Sequence, residues 1–290
     1  MQLDLFMDGR DVMLQNDVIA ALHARDFIAG RRALAAFANE YPAHDAIPSL
    51  SLLLETLQMV ERPIAPISDH SSAAETLRVM QTAVVPAAQR VLGNHAAAGW
   101  LSPLWLSLAD AAAGLPFDAQ APQHHRAYLL LQSGQWATAD AEIARIPSWR
   151  RIPVPLAWMT QSRFHQGGLD SAWCLLMELA WIDAQAFNRL AQQLPAPALH
   201  KHLKDFDAAI EDDEPDRAWF PAWLLIAAPA LSSVMRDTQP GNNHAPERVA
   251  RLIYDLLALE KQGRHAEIVT LRKKLRDGHA GLFAFYMRSR

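Results

Sequence analysis

Gly134-Gln135-Trp136-Ala137-Thr138-Ala139 and Gly167-Gly168-Leu169-Asp170-Ser171-Ala172 read almost alike, and they start 33 residues apart. Each opens on a glycine that can end a helix by entering left-handed backbone space. A large apolar residue follows two positions on and an alanine five positions on, and a further run of helical apolar periodicity comes next. That pattern is the turn of an antiparallel helix pair, used twice. Pro147, Pro153 and Pro155 separate the two pairs.

The rest of the chain extends this reading. Of 290 residues, 51% are hydrophobic and 20% charged, enough for a large core. Stretches rich in Ala and Leu favour helix because these side chains lose little freedom there. Runs of Val, Ile and Thr bounded by Asn-Gly or Asp-Gly turns are missing, so no β-sheet is expected. A first helix, capped by Asp8 or Asp11, carries Val12, Leu14, Val18, Ile19 and Leu22. Arg25-Asp26 marks a turn, and a second helix with Phe27, Ala33, Leu34 and Phe37 ends at Tyr41-Pro42. Another helix runs from Ile47 to Val60, before the breaker Glu61–Pro66. The string Ser71-Ser72-Ala73-Ala74-Glu75 predicts a capped start for a helix to about Leu92, kinked by Pro86 and closed by Gly93-Asn94. Trp100 to Ala113 is a further apolar helix. Near the end, helices over Pro246–Leu259 and His265–Arg276 turn at Gln262-Gly263-Arg264, and Gly281–Met287 reads as a terminal cap. Asp237–Ala245, with Pro240-Gly241-Asn242-Asn243, is the segment expected to be most flexible.

The 33-residue spacing lies close to the ~34-residue period of tetratricopeptide repeats. Ala21-Leu22-His23-Ala24-Arg25-Asp26, through Phe37 to Tyr41-Pro42, resembles a degenerate unit of that family, with Gly30 or Ala33 at its small position. The resemblance covers about half of the chain. Most units lack the family's first-helix aromatic or its closing proline. It therefore implies an all-α, irregular right-handed α-solenoid of antiparallel hairpins rather than a regular array. On this reading residues 1–8 are an N-terminal arm and residues 9–290 one helical-repeat domain with a sub-boundary near 116–123. Residues 50–115 either continue the solenoid or form a separate layer. Stacked hairpins present a concave face to a protein partner, so the implied function is that of a non-catalytic binding scaffold.

Charge and cysteine usage narrow the classes. The formal net charge is −4, where a nucleic-acid binder usually carries a basic excess. No direct nucleic-acid contact is expected, and the local clusters Arg272–Arg276 and Arg150-Arg151 read as solvated faces. Cys174 is the single cysteine, set in an apolar run, which predicts a buried inert thiol and fits a reducing compartment. No apolar run reaches the ~18 residues that span a bilayer. The N-terminus lacks a basic stretch followed by an apolar one. The expected location is cytoplasmic, with no membrane partner.

Motifs supply candidate sites. Gln2-Leu3-Asp4-Leu5-Phe6 is similar, at all five positions, to the pentapeptide with which bacterial polymerases and repair proteins grip the sliding clamp. Leu5 and Phe6 would fill an apolar pocket while Gln2 hydrogen-bonds at its edge. The resemblance implies an accessory protein of DNA replication or repair. The competing reading folds Leu3, Leu5 and Phe6 back over the first hairpin as a cap. Trp149-Arg150-Arg151, in a proline-bounded loop, is the best candidate for an exposed aromatic anchor. The other tryptophans sit in apolar helical runs and read as core. His124-His125 and His200-Lys201-His202 lack the i, i+4 spacing of helical zinc ligands, and no metal or cofactor is expected. The acidic run Glu211–Asp216 lacks the alternating ligands and central glycine of a calcium loop. Phosphate-loop, Gly-x-Ser-x-Gly and His-Glu-x-x-His signatures are missing. An enzyme with an unrecognised helical active site is the third alternative.

Overall fold

The computed structural model describes residues 9–60, 64–209, 216–241 and 244–290. Among the described residues it is all-helical, with no strand. No helix there is long and apolar enough to cross a membrane. The chain folds as two compact units, 1–135 and 136–290. Where the sequence places a sub-boundary at 116–123, the structure divides between Gln135 and Trp136.

The first unit contains α1 (Arg10–Ala24), α2 (Phe27–Glu40), α3 (Ile47–Val60), α4 (His70–Val79), α5 (Val85–Ala111) and α6 (Arg126–Gln132). Helices α1 and α2 pack as a pair and α3 packs on both, while α5 packs on α1, α3 and α6. Arg25 makes the first turn in left-handed space, at φ 55°. The Arg25 and Asp26 amides close that turn by donating to the Leu22 and Ala21 carbonyls at 3.2 and 2.9 Å. A non-glycine residue is strained there. Arg25 is held by its guanidinium, which donates to the Trp100 carbonyl and lies 5.7 Å over the Trp100 ring. The Trp100 indole N–H in turn donates to the Leu22 carbonyl at 3.0 Å. Gly30 is buried, against Leu54 of α3. A Cβ at Gly30 would clash with Leu54 Cδ2, whereas Ala33 is half-buried.

Local signals were read unevenly. Helix α1 starts at Gly9 without a side-chain cap, and Asp11 sits in its first turn. Helix α4 starts earlier than Ser71: Asp69 caps it by accepting from the Ser72 amide at 2.9 Å. Ahead of Pro86 the helix widens into a π turn, Met80–Val84, with the Val85 amide bonded to the Met80 carbonyl. Proline has no N–H to give the Thr82 carbonyl, and its ring crowds that group. Gly93 then breaks α5 at φ 76°. Gly134, at φ 75°, ends α6, with the Gln135 amide donating to the Leu130 carbonyl at 2.9 Å.

The second unit contains α7 (Trp136–Ile143), α8 (Pro153–Ile182), α9 (Ala184–Gln193), α10 (Pro197–Ala209), α11 (Phe220–Ala227), α12 (Ala245–Gln262), α13 (His265–Gly278) and α14 (Ala280–Arg288). Each packs on the next. Helix α8 is broken at Gly167 and Gly168 (φ 70° at the latter), so residues 153–166 and 169–182 are two helical legs, as the repeated glycine predicts. Ser162 Oγ donates to the Trp136 carbonyl at 2.7 Å, fastening the first leg to α7. Helix α11 departs from nearest-neighbour stacking. Its residues from Phe220 to Ile226 are all buried, and it touches α8 and α14 as well as α10 and α12. A helix apolar on every side needs neighbours on every side. The apolar segment 281–287 lies on α14 and docks against this central helix and α13.

Candidate functional site

The candidate turn Trp149–Arg151 lies in the second unit as one turn of 3₁₀ helix. Ser148 enters it at φ 56°, and Pro153 starts α8 just after it. Proline suits a first helical position because its missing N–H would have had no partner there. The three side chains diverge. Trp149 is half-buried, Arg151 is exposed, and Arg150 turns inward.

Arg150 grips Glu178 with both arms of its guanidinium: Nε to Oε2 at 2.6 Å and Nη2 to Oε1 at 2.7 Å. The Glu178 side chain is only 4% exposed. A carboxylate so far from water is tolerable only when paired and hydrogen-bonded, and both conditions hold. Burial opposes the Arg150 charge, but hydrogen bonding and attraction to Glu178 outweigh it, and its pKa is held above the ordinary arginine value. A second pair lies nearby: Arg251 Nε donates to Glu247 Oε1 at 3.0 Å, and the Glu247 side chain is 3% exposed.

The two pairs tie down the segment expected to be most flexible. The Asp237 carbonyl accepts from Arg150 at 2.7 Å, and the Gln239 amide donates to Glu178 at 2.6 Å. The Gln239 carbonyl accepts from Arg251 at 3.1 Å, and the Gly241 amide donates to Glu247 at 2.8 Å. Side-chain charges thus engage four backbone groups of this segment. The expectation of a flexible loop is therefore corrected from Asp237 to Gly241, and residues 242–243 lie outside the described residues. A Cβ at Gly241 would meet Glu247 Oε2 at 2.8 Å, so a larger residue there would displace that carboxylate. Beneath the segment is a slot of about 10 Å³, bordered by Arg150, Glu178, Gln239, Glu247 and Trp181. That is room for a single water at most. Arg251 lies 5.7 Å over the Trp181 ring.

Beside the turn an open trough of about 430 Å³ is lined by residues 144–151 and Gln239. It is the larger of these two spaces.

The remaining candidates separate. Gln2, Leu3, Asp4, Leu5 and Phe6 lie outside the described residues, as do 211–215 of the acidic run. Asp216 caps the turn Arg217–Trp219 by accepting from the Ala218 amide at 2.9 Å. The histidines have separate tasks. His125 Nδ1 accepts from the Ala127 amide at 3.2 Å, and His124 stacks on His70 at 5.6 Å. The His200 ring lies 2.9 Å from the Ala191 carbonyl, and His202 lies edge-on to Trp173. No group of three or more metal-ligating side chains forms among the described residues. Cys174 is half-buried rather than buried, and burial, with the nearby Glu178 charge, pushes its thiol pKa up. A raised thiol pKa makes a poor nucleophile at neutral pH.

Sequence reasoning missed Glu178, Gln239, Glu247 and Arg251. One signal was present. Glu178 is the lone charge in Cys174-Leu175-Leu176-Met177-Glu178-Leu179-Ala180-Trp181, and an acid inside an apolar run implies a buried partner. Its partner, 28 residues earlier, was already singled out as Arg150. Glu247 carried no such signal, because an acid in a helix's first turn reads as a complement to the helix dipole. Comparison with protein-family models, with curated proteins and with solved structures finds no match.

Proposed function

We propose that this chain is a non-catalytic, cytoplasmic protein-binding scaffold of tetratricopeptide-like, irregular solenoid type. The observation that carries the reading is the Trp149–Arg151 turn. Its backbone position is set by the buried Arg150–Glu178 pair, while Trp149 and Arg151 face an open trough. Presenting an aromatic and an arginine on a stiff support lowers the ordering cost of association, and these residue types dominate binding hot spots. The helical architecture and the pairing of consecutive helices support it further. The buried charges of the second unit are engaged in ion pairs that hold backbone, which is a structural use. The test is site-specific photocrosslinking from position 149 in cells. A discrete partner captured by wild type, and lost with Arg151→Glu, is the expected result. Capture of the same diffuse set from position 149 and from the exposed position 273 would refute the reading.

A second reading rests on one specific observation, the complete Gln2–Phe6 match. In it the scaffold is an accessory protein of bacterial DNA replication or repair, tethered to the sliding clamp. Direct binding to purified clamp, abolished by Leu5→Ala/Phe6→Ala with helicity unchanged, is the expected result. Absence of binding by wild type would remove this reading and leave the first standing.

A further inference from the structure

We infer that the trough beside Trp149 receives an acidic segment of the partner protein, an inference that rests on the scaffold reading above. Its lining contains Arg145, Arg150 and Arg151 and not one carboxylate, in a chain whose net charge is −4. The cations differ in availability. Arg150 is already neutralised by Glu178. Arg145 is 73% exposed and pairs with Glu142, whose side chain is 14% exposed, so an incoming carboxylate would share this guanidinium with Glu142. Arg151 makes no side-chain hydrogen bond or ion pair among the described residues.

The free polar groups point the same way. The Ser148 hydroxyl and the Trp149 indole N–H, like the Arg151 guanidinium, make no side-chain hydrogen bond among the described residues. Two of the three can only donate, and the hydroxyl can do so. The positive end of the α8 dipole follows directly at Pro153, which adds to the local potential. The Gln239 side chain, which also lines the trough, can both donate and accept, so the lining presents an excess of donors, complementary to carboxylates, which only accept. The guanidinium fork matches a carboxylate in two hydrogen bonds, and Trp149 supplies apolar area beside it. A peptide suits this surface better than a nucleic acid, because phosphate backbones are held by extended basic tracks. Here the cations of the trough are confined to residues 145–151.

The test is fluorescence anisotropy of the full-length protein with three labelled probes: a glutamate- and aspartate-rich decapeptide, its Gln/Asn counterpart, and a single-stranded DNA oligonucleotide. Expected at low ionic strength is binding of the acidic peptide alone, weakened by added salt. Arg145→Glu/Arg151→Glu should weaken it at least about tenfold, because like charge then meets like charge. Lys273→Glu/Lys274→Glu, the same charge change on exposed α13 positions, should leave it nearly unaltered. All four positions tolerate the test without refolding concerns that circular dichroism cannot check. No binding of the acidic peptide, equal losses in both variants, or tighter Arg151-dependent binding of the oligonucleotide would each overturn the inference. If crosslinking from position 149 captures a partner without an acidic segment, the inference fails and the scaffold reading stands. If it captures nothing specific, both fail.

Discussion

Glu178→Gln should unfasten the segment at Gln239 while leaving the helices in place. The two carboxylate oxygens accept three hydrogen bonds, two from Arg150 and one from the Gln239 amide. An amide has one accepting oxygen. In its best orientation it keeps the Oε1 position and turns its NH₂ toward Arg150 Nε, so that a donor faces a donor. It also removes the negative charge that balances a guanidinium only 20% exposed. A hydrogen bond to a charged group is worth about 1.5–3 kcal/mol, and stranding one member of a buried pair costs about 3–5 kcal/mol. Glu178→Gln should therefore lose about 2–4 kcal/mol, and Glu178→Ala should lie at the upper end. Arg150→Met/Glu178→Met should cost less than either single change, because no charge is left unpaired. Hydrogen exchange of the Gln239 and Gly241 amides, alongside urea unfolding followed by circular dichroism, reads both effects. Exchange at Gln239 as slow as in wild type, with an unfolding midpoint unmoved, would refute the reasoning.

Other outcomes follow from the same packing. Gly30→Ala gains about 1 kcal/mol of helix propensity but drives a methyl into Leu54, itself 2% exposed. Overpacking costs about 1–3 kcal/mol, so a net loss in urea is expected, and the further loss caused by Gly30→Ala should be smaller in a Leu54→Ala background than in the wild type. Tyr286 is fully buried between Arg272 and Arg290, and its hydroxyl donates to Glu260. Tyr286→Phe should lose about 1–3 kcal/mol and free the end of α14 to hydrogen exchange. Burial lowers the pKa of His124, His165, His202 and His279, and the neighbouring His70 adds to it at His124. In the unfolded chain these groups take protons at about pH 6.5, before the folded protein does. Their contribution is complete above that pH and is lost as pH falls through the lower folded values. The urea midpoint should drop from pH 7 to pH 5, and His165→Gln should flatten the drop. A midpoint rising toward acid would exclude the assignment.

Helix type was legible because it depends on neighbours in sequence. The turns at Gly134 and at Arg25-Asp26 follow from residues within a few positions of each other, whereas in the second repeat the left-handed residue is Gly168 and not the Gly167 that the repeat aligns. Misplaced starts at α1 and α4 reflect the same locality, since several nearby acids or serines could cap and only packing chose between them. Trp149-Arg150-Arg151 was legible as a candidate through its proline frame, but which of its members turns inward was not. Composition shows three side chains on a short turn, and only the fold says which one is turned inward.

By itself the sequence determined an all-helical chain, its principal turns and the anchor candidate Trp149–Arg151, because backbone preference and capping act over a few residues. Only the tertiary structure decided that α11 sits at the centre of its unit, touching helices far apart in sequence. It also decided that Glu178 and Glu247 secure residues 237–241. The physical reason is common to both. Burial and charge pairing depend on what distant segments bring to one place, and a buried carboxylate is stable only where an arginine from elsewhere in the chain reaches it.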